Sequence, residues 1–316
     1  MSILERVSRR VRRWEFERSV RAMTSTPAIV PGGRPLIALS MVHHRDVLPY
    51  LLAVKSFARF ASPSRIVMVA DPTIDDSDRA LVRRRVPFIE IRDAREFQRE
   101  GIPTGGTWER LCAISEHVRD AYVVQLDADT VTTAPVTEVI EAVERGTPFA
   151  LATDDAWQVP CSCAEIAAWA RTRLGGGDHI QLVAESLMDR IDAPGITRYV
   201  RGCSGFAGFP RASFDFAMLR SVSESMAALM GDRWREWGSE QVASNLVVAN
   251  LPGGTLLPHA RYCAPHRRRP QTAFLHFIGY VRFTTGLYSE LARKVASELR
   301  ESAPAATGAS PVGSVR

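Results

Sequence analysis

The sequence predicts an α/β fold: a mixed, mostly parallel sheet flanked by helices, with a helical insertion. Two observations carry that expectation. Apolar runs of strand length alternate with amphipathic stretches through residues 36–153, the pattern of repeated strand–helix units. The most hydrophobic run, Tyr122 to Leu126, closes on the acidic pair Asp127 and Asp129, and acids at the carboxyl end of a parallel strand sit where open α/β sheets bind ligands. A chain of 316 residues, 46% hydrophobic and 24% charged, has the size and composition to bury one large core.

Taken in order, Ile3, Leu4, Val7, Val11 and Trp14 recur at helical spacing among Arg6, Arg9, Arg10, Arg12, Arg13, Arg18 and Arg21. Residues 3–23 therefore read as a basic amphipathic helix, either laid on an anionic membrane face or packed on the domain with its basic side solvated. Thr24 to Pro35, rich in Pro and Gly, reads as a linker. Leu36 to Val42 is the first strand, and a helix follows over Leu48 to Phe60. Arg65 to Ala70 is the second strand, and Asp75 to Asp78 cap a helix running through Val82 to Arg85. Phe88 to Ile91 is the third strand. A helix over Trp108 to Val118 leads into Tyr122 to Leu126, then come a helix over Val136 to Val143 and a strand at Phe149 to Thr153. Ala164 to Arg173 and the stretch near Gln181 to Ile191 read as helices separated by Gly175-Gly176-Gly177, before Ser204 to Phe209 resumes the sheet. The organisation expected is a helix and linker over 1–35, one domain over 36–300 with an insertion at about 157–199, and a disordered tail over 301–316.

A formal charge of +5 suits acidic partners such as nucleotide diphosphates or anionic lipid. Nucleic acid is not expected as a partner, because the arginines at Arg267-Arg268-Arg269 and in the first helix lack an aromatic platform or a known module. No apolar run approaches the roughly 20 residues that cross a bilayer, and no signal-peptide region opens the chain, so a cytoplasmic location, or a peripheral one at the inner membrane face, is expected. The five cysteines, scattered and odd in number, are expected to be reduced thiols.

Two carboxylates at i and i+2 after a buried strand are able to share a hard divalent cation that also holds phosphate oxygens. They are equally able to cap the turn that follows. The stretch Tyr122-Val123-Val124-Gln125-Leu126-Asp127-Ala128-Asp129-Thr130-Val131 resembles the strand and Asp-x-Asp motif of GT-A glycosyltransferases, above all the family 8 group that includes glycogenin and the galactosyltransferases. Leu275-His276-Phe277-Ile278-Gly279-Tyr280-Val281-Arg282 resembles that family's carboxy-terminal His-x-x-Gly-x-x-Lys segment, with Arg282 in place of the lysine and Phe283-Thr284 in place of the Pro-Trp that follows.

The resemblance implies a GT-A (Rossmann-like) fold and a metal, Mn2+ (or Mg2+), held by Asp127, Asp129 and His276. It also implies a nucleotide-sugar donor contacted by Arg110, Gly205, Gly279 and Arg282 as well as by the two aspartates. Gly202-Cys203-Ser204-Gly205-Phe206 is similar to the family's Asn-Ser-Gly turn with Cys203 replacing asparagine, and Glu240-Gln241 is similar to its Asp-Gln pair. The reaction implied is transfer of the sugar, with retention, to a glycan, lipid-linked or small-molecule acceptor. Glu240 and Gln241 would face the reacting sugar, while Glu240 or Asp154 as a general base would instead give inversion. Read by itself, Glu240 is also simply the first turn of a helix capped by Ser239. Residues 157–199 have no family counterpart and are expected to shape the acceptor side, with Trp157 and Trp169 as candidate stacking platforms. Two other readings stay open. One is an inert nucleotide-sugar-binding or membrane-surface scaffold on the same fold. The other is a haloacid-dehalogenase-type phosphatase, whose nucleophile motif also follows a strand, although that reading leaves His276 unexplained.

Overall fold

The computed structural model describes residues 3–153, 157–279 and 281–302. It opens with α1 (Ile3–Val20), continued by a 3-10 turn over Arg21–Ser25. Then come β1 (Arg34–Val42), α2 (Val47–Ala61), β2 (Pro63–Ala70), α3 (Asp76–Arg85) and β3 (Ile89–Asp93), two strand–helix–strand units in succession. α4 (Trp108–His117) leads into β4 (Tyr122–Leu126), and a short turn into β5 (Thr130–Thr132). α5 (Thr137–Arg145) and β6 (Phe149–Ala152) precede the insertion, which holds β7 (Cys161–Ser162), α6 (Cys163–Arg171), α7 (Ile180–Glu185) and β8 (Arg198–Tyr199). The remainder is β9 (Gly202–Phe209), α8 (Phe216–Met230), α9 (Ser239–Asn250), β10 (Thr255–Leu257), β11 (Tyr262–Cys263), β12 (Phe274–His276) and α10 (Leu287–Glu301).

Seven strands form one sheet in the order β10-β6-β9-β4-β1-β2-β3. β4, β1, β2 and β3 are parallel neighbours, and β9 runs antiparallel to both β4 and β6. The mixed, mostly parallel sheet flanked by helices is thus present. Its strands are buried on both faces, so each side chain along a strand joins one of two cores in alternation. Leu36, Ala38, Ile66, Met68 and Val124 point to the face covered by α2 and α10, whereas Ile37, Leu39, Val67, Val69 and Val123 point to the face covered by α4, α8 and α9. Since β2 and β4 flank β1 on opposite sides, the loops leaving β1 and β4 diverge and open a crevice at the carboxyl ends of these strands.

A second sheet joins β11, β12 and β5, and it fixes the site. β12 pairs antiparallel to β5 with His276 opposite Thr130, which delivers the histidine to the turn bearing both aspartates.

Several expectations change in detail. The first strand begins at Arg34, inside the expected linker, where the Arg34 N–H donates to Ser62 O at 3.1 Å. The helix near Gln181 to Ile191 ends at Glu185 and gives way to a 3-10 turn over Met188–Arg190. Ser239 does not cap α9: its hydroxyl accepts from Trp108 Nε1 at 2.8 Å, and Gly238, at φ 106°, holds the cap position. The apolar set in α1 is not its packing face. Phe16 and Val20 are buried, with Phe16 stacked on Tyr288 of α10 at 3.8 Å between ring centroids, while Leu4, Val7, Val11 and Trp14 are exposed at 82%, 55%, 49% and 58%.

Candidate functional site

The turn Asp127-Ala128-Asp129 is held by backbone from both sides. The Asp127 N–H donates to Gly205 O at 2.9 Å, and the Phe277 N–H donates to Asp129 O at 2.8 Å, so β9 and the segment after β12 fix the two carboxylates independently. His276 Nε2 lies 3.1 Å from Asp129 Oδ1 and 3.7 Å from Asp127 Oδ2. One ligand atom from each of the three side chains falls within 4.8 Å of the others. Asp129 and His276 are buried, and Asp127 is partly open to solvent.

Gly205 is the floor of this arrangement. A Cβ there would stand 2.3 Å from His276 Cε1 and 2.7 Å from Nδ1, so the imidazole lies directly against the β9 backbone where no side chain fits. On the ring's other nitrogen, Cys203 Sγ lies 3.5 Å from Nδ1.

Two arginines complete the charge balance. Arg282 donates to Asp129 Oδ2 at 2.6 Å and to Asp46 Oδ1 at 3.0 Å. Arg110, buried rather than on the surface, ion-pairs with Asp127 and donates to Glu240 Oε2 at 3.0 Å and to Ser204 Oγ at 3.3 Å. Burial pushes the Asp129 carboxyl up, but His276 and Arg282 outweigh it and hold the group well below the ordinary carboxylate value. Burial likewise pulls His276 down, and Asp129 with Cys203 lifts it well above the ordinary imidazole value. Glu240 is pushed up chiefly by burial, against the pull of Arg110.

Glu240 Oε2 receives Thr107 Oγ1 at 3.1 Å and Ser204 Oγ at 3.0 Å besides Arg110, whereas its buried Oε1 has no hydrogen-bond partner among the described residues. Next to it, Gln241 Oε1 accepts from the Ser204 N–H at 3.2 Å. The structure therefore gathers Arg110, Asp127, Asp129, Gly205, Glu240, Gln241, His276 and Arg282 at the carboxyl end of the sheet. Gly279 lines, with Arg282 and Asp46, a cavity of about 880 Å³ between α1, α3 and the loop after β1. Asp154 lies outside the described residues. Trp157 and Trp169 form a T-shaped pair at 5.5 Å, and Trp169 carries the Arg173 and Arg201 guanidiniums over its ring at 4.3 Å and 4.8 Å.

Asp46 was not expected from the sequence as a site residue, and the contact of Cys203 with His276 was not expected either. Asp46 had a signal: it is an acid in the loop after the carboxyl end of β1, the strand that neighbours β4 in the sheet. Cys203 enters the sequence pattern only as the replacement for asparagine in the glycine turn, and its place beside His276 depends on the pairing of β12 with β5. A second acid–imidazole group, with His44 Nδ1 at 2.7 Å from Asp78 Oδ2 and 3.9 Å from Asp75 Oδ2, is explained by helix capping, since Asp75 and Asp78 form the reciprocal cap of α3.

Fold and site together define a class, an α/β sheet protein with an acid–acid–imidazole cluster at a topological switch point. No protein-family model matches the sequence, and no curated protein matches it. Among solved structures, the chain is similar to the galactosyltransferase LgtC in complex with donor and acceptor sugar analogs, at 13% identity over 85% of this chain and 98% of that one, with a TM-score of 0.45. It is similar to the apo form of mouse xyloside xylosyltransferase 1, at 13% identity over 79% of this chain and 98% of that one, with a TM-score of 0.45. It is also similar to core-mannan synthase A of Aspergillus fumigatus in a Mn/GDP form, at 8% identity over 88% of each chain, with a TM-score of 0.42. The likeness is one of architecture, and no residue here takes its role from it.

Proposed function

We propose that this chain is a divalent-metal-dependent glycosyltransferase that moves a sugar from a nucleotide-diphosphate sugar to an acceptor hydroxyl, with retention as the family 8 resemblance implies. The observation that carries the reading is the convergence of His276, at the end of β12, on Asp127 and Asp129 of the turn between β4 and β5. An imidazole nitrogen 3.1 Å and 3.7 Å from the two carboxylate oxygens suits one ion bound at about 2.1 Å from each ligand, and the nitrogen favours Mn2+ over Mg2+. When bound, the metal would supply charge neutralisation for the diphosphate as the glycosidic bond breaks.

The remaining roles belong to the chain's own groups. Arg282 reaches the cavity beside Asp129 and offers a forked cation to phosphate, while Gly279, bare of a side chain, lets backbone approach the same ligand. Arg110 holds Asp127 and Glu240 in register. The unpartnered Glu240 Oε1 is suited to accept from a sugar hydroxyl, and Gln241 presents a neutral dipole beside it. The insertion at 157–199 bounds the acceptor side, where a glycan, lipid-linked or small-molecule acceptor would bind. Residues 3–23 add a peripheral contact with the inner face of the cytoplasmic membrane, through the exposed apolar stripe of α1 and its arginines.

Calorimetry with Mn2+ and a panel of nucleotide sugars, followed by donor hydrolysis, tests the reading. Donor binding should require the metal, and Asp129→Ala should lower turnover at least about 100-fold. Metal-independent binding, or unchanged turnover in that variant, rejects the site. A second reading, an inert donor-binding protein, is favoured by the arginines that already neutralise both aspartates, and it predicts binding without turnover.

A further inference from the structure

Gln241 is the end of a hydrogen-bonded chain that leads away from the candidate site into the insertion. Its Nε2 donates to Gln181 Oε1 at 2.8 Å, and Gln181 Nε2 donates in turn to Glu185 Oε1 at 2.9 Å. Gln181 and Glu185 lie one turn apart on α7, both buried, Glu185 completely. A second chain arrives at the same carboxylate: Asn245 Nδ2 donates to Tyr199 Oη at 3.3 Å, and Tyr199 Oη donates to Glu185 Oε1 at 3.2 Å. Arg201 Nε occupies the other oxygen at 3.2 Å.

A side-chain amide has a donor end and an acceptor end of nearly the same shape, so its surroundings must choose which way it faces. Here both ends of the chain choose, and they agree. The Ser204 backbone N–H is an obligatory donor and demands Gln241 Oε1. The Glu185 carboxylate, paired with Arg201, is an acceptor and demands Gln181 Nε2, which turns Gln181 Oε1 toward Gln241 Nε2. With Gln181 free to flip, two NH2 groups would confront each other and Gln241 would lose its defined orientation.

We infer that Gln181 and Glu185 are positioning residues, through which the insertion fixes the direction of the Gln241 amide at the reacting sugar. The inference rests on the glycosyltransferase reading, and its contribution is one of orientation: a misaimed group near a reaction centre costs rate more than binding.

The test is metal-dependent donor hydrolysis by the full chain and three variants, Gln181→Leu, Gln241→Ala and the double variant, with folding followed by thermal unfolding. Gln181→Leu should lower kcat about 10-fold or more and leave the donor KM within about two-fold, because the defect lies in orientation. The double variant should turn over no more slowly than Gln241→Ala alone, because Gln181 acts only through Gln241. If Gln181→Leu does not fold, Gln181→Met keeps the length without the polar end and carries the same expectation. A wild-type chain without donor turnover overturns the glycosyltransferase reading and this inference with it. Wild-type turnover accompanied by an undiminished kcat in the Gln181 variant, or by losses that multiply in the double variant, overturns the inference alone.

Discussion

The residue on which the candidate site depends most is one with no side chain. Gly205 lets the His276 imidazole rest on β9, and that contact leaves Nε2 facing Asp129 and Asp127. The ring cannot retreat, because Cys203 borders Nδ1 and β12 is paired to β5. A methyl group at Gly205 must therefore displace the histidine. Gly205→Ala should destabilise the fold by roughly 1–3 kcal/mol, the usual cost of overpacking a filled interior. It should also weaken Mn2+ binding about 10- to 100-fold, as expected when a ligand's support is disturbed. Titration calorimetry with Mn2+ measures the second effect, and unaltered affinity would mean that His276 is not a ligand. At this scale the sequence was informative wherever chemistry and spacing travel together. Asp127, Asp129, His276 and Arg282 are legible because acids after a buried strand and a basic segment near the end match a known pattern. The contacts of Asp46 with Arg282 and of Cys203 with His276 were not legible, since they arise between segments distant in sequence.

Among elements, α1 presents two sets of apolar side chains with different surroundings. Phe16 and Val20 tie it to the domain, while Leu4, Val7, Val11 and Trp14 stand in solvent beside Arg6, Arg10 and Arg18. Helical periodicity found this apolar stripe, but periodicity alone does not say whether a partner covers it. Replacing Leu4, Val7, Val11 and Trp14 together by Ser should abolish co-sedimentation with anionic lipid vesicles while leaving the unfolding midpoint nearly unchanged, because these side chains bury little in the fold. Phe16→Ala should instead cost roughly 3 kcal/mol, since it empties a stacked aromatic position. Equal vesicle binding by the wild type and the four-fold variant would remove the membrane from the proposal. The same limit explains the elements the sequence did not give. α10 is an amphipathic segment that follows no strand signal, and β5, β10, β11 and β12 are three residues long or shorter, too brief for an alternation to show. β1, β2 and β4 were legible because each carries an apolar run of strand length bounded by turn residues.

On the scale of the whole molecule, the site exists only when the fold is complete, because Asp129 and His276 are 147 residues apart and meet through the pairing of β12 with β5. Stability and metal binding are therefore linked through the same proton. Without metal, His276 and Asp129 form one ion pair, with the imidazole raised and the carboxyl lowered relative to their ordinary values of 6.5 and 3.8. A raised imidazole contributes stability fully below its unfolded value and loses it as pH climbs through the folded value. A lowered carboxyl contributes fully above its unfolded value and loses it as pH falls through the folded one. The pair is counted once, and its contribution is greatest between 3.8 and 6.5. A metal ion requires the neutral imidazole, so binding must expel the proton that this pair retains. Mn2+ at 100 times its dissociation constant should add about 2.7 kcal/mol to the stability of the wild type, or roughly 5 °C in the unfolding midpoint. At one fixed Mn2+ concentration that gain should grow as pH rises from 6 to 8, and it should vanish in Asp129→Asn. Scanning calorimetry across this range decides the matter: a Mn2+ stabilisation that is flat with pH, or that survives in Asp129→Asn, would place the ion somewhere other than between these side chains.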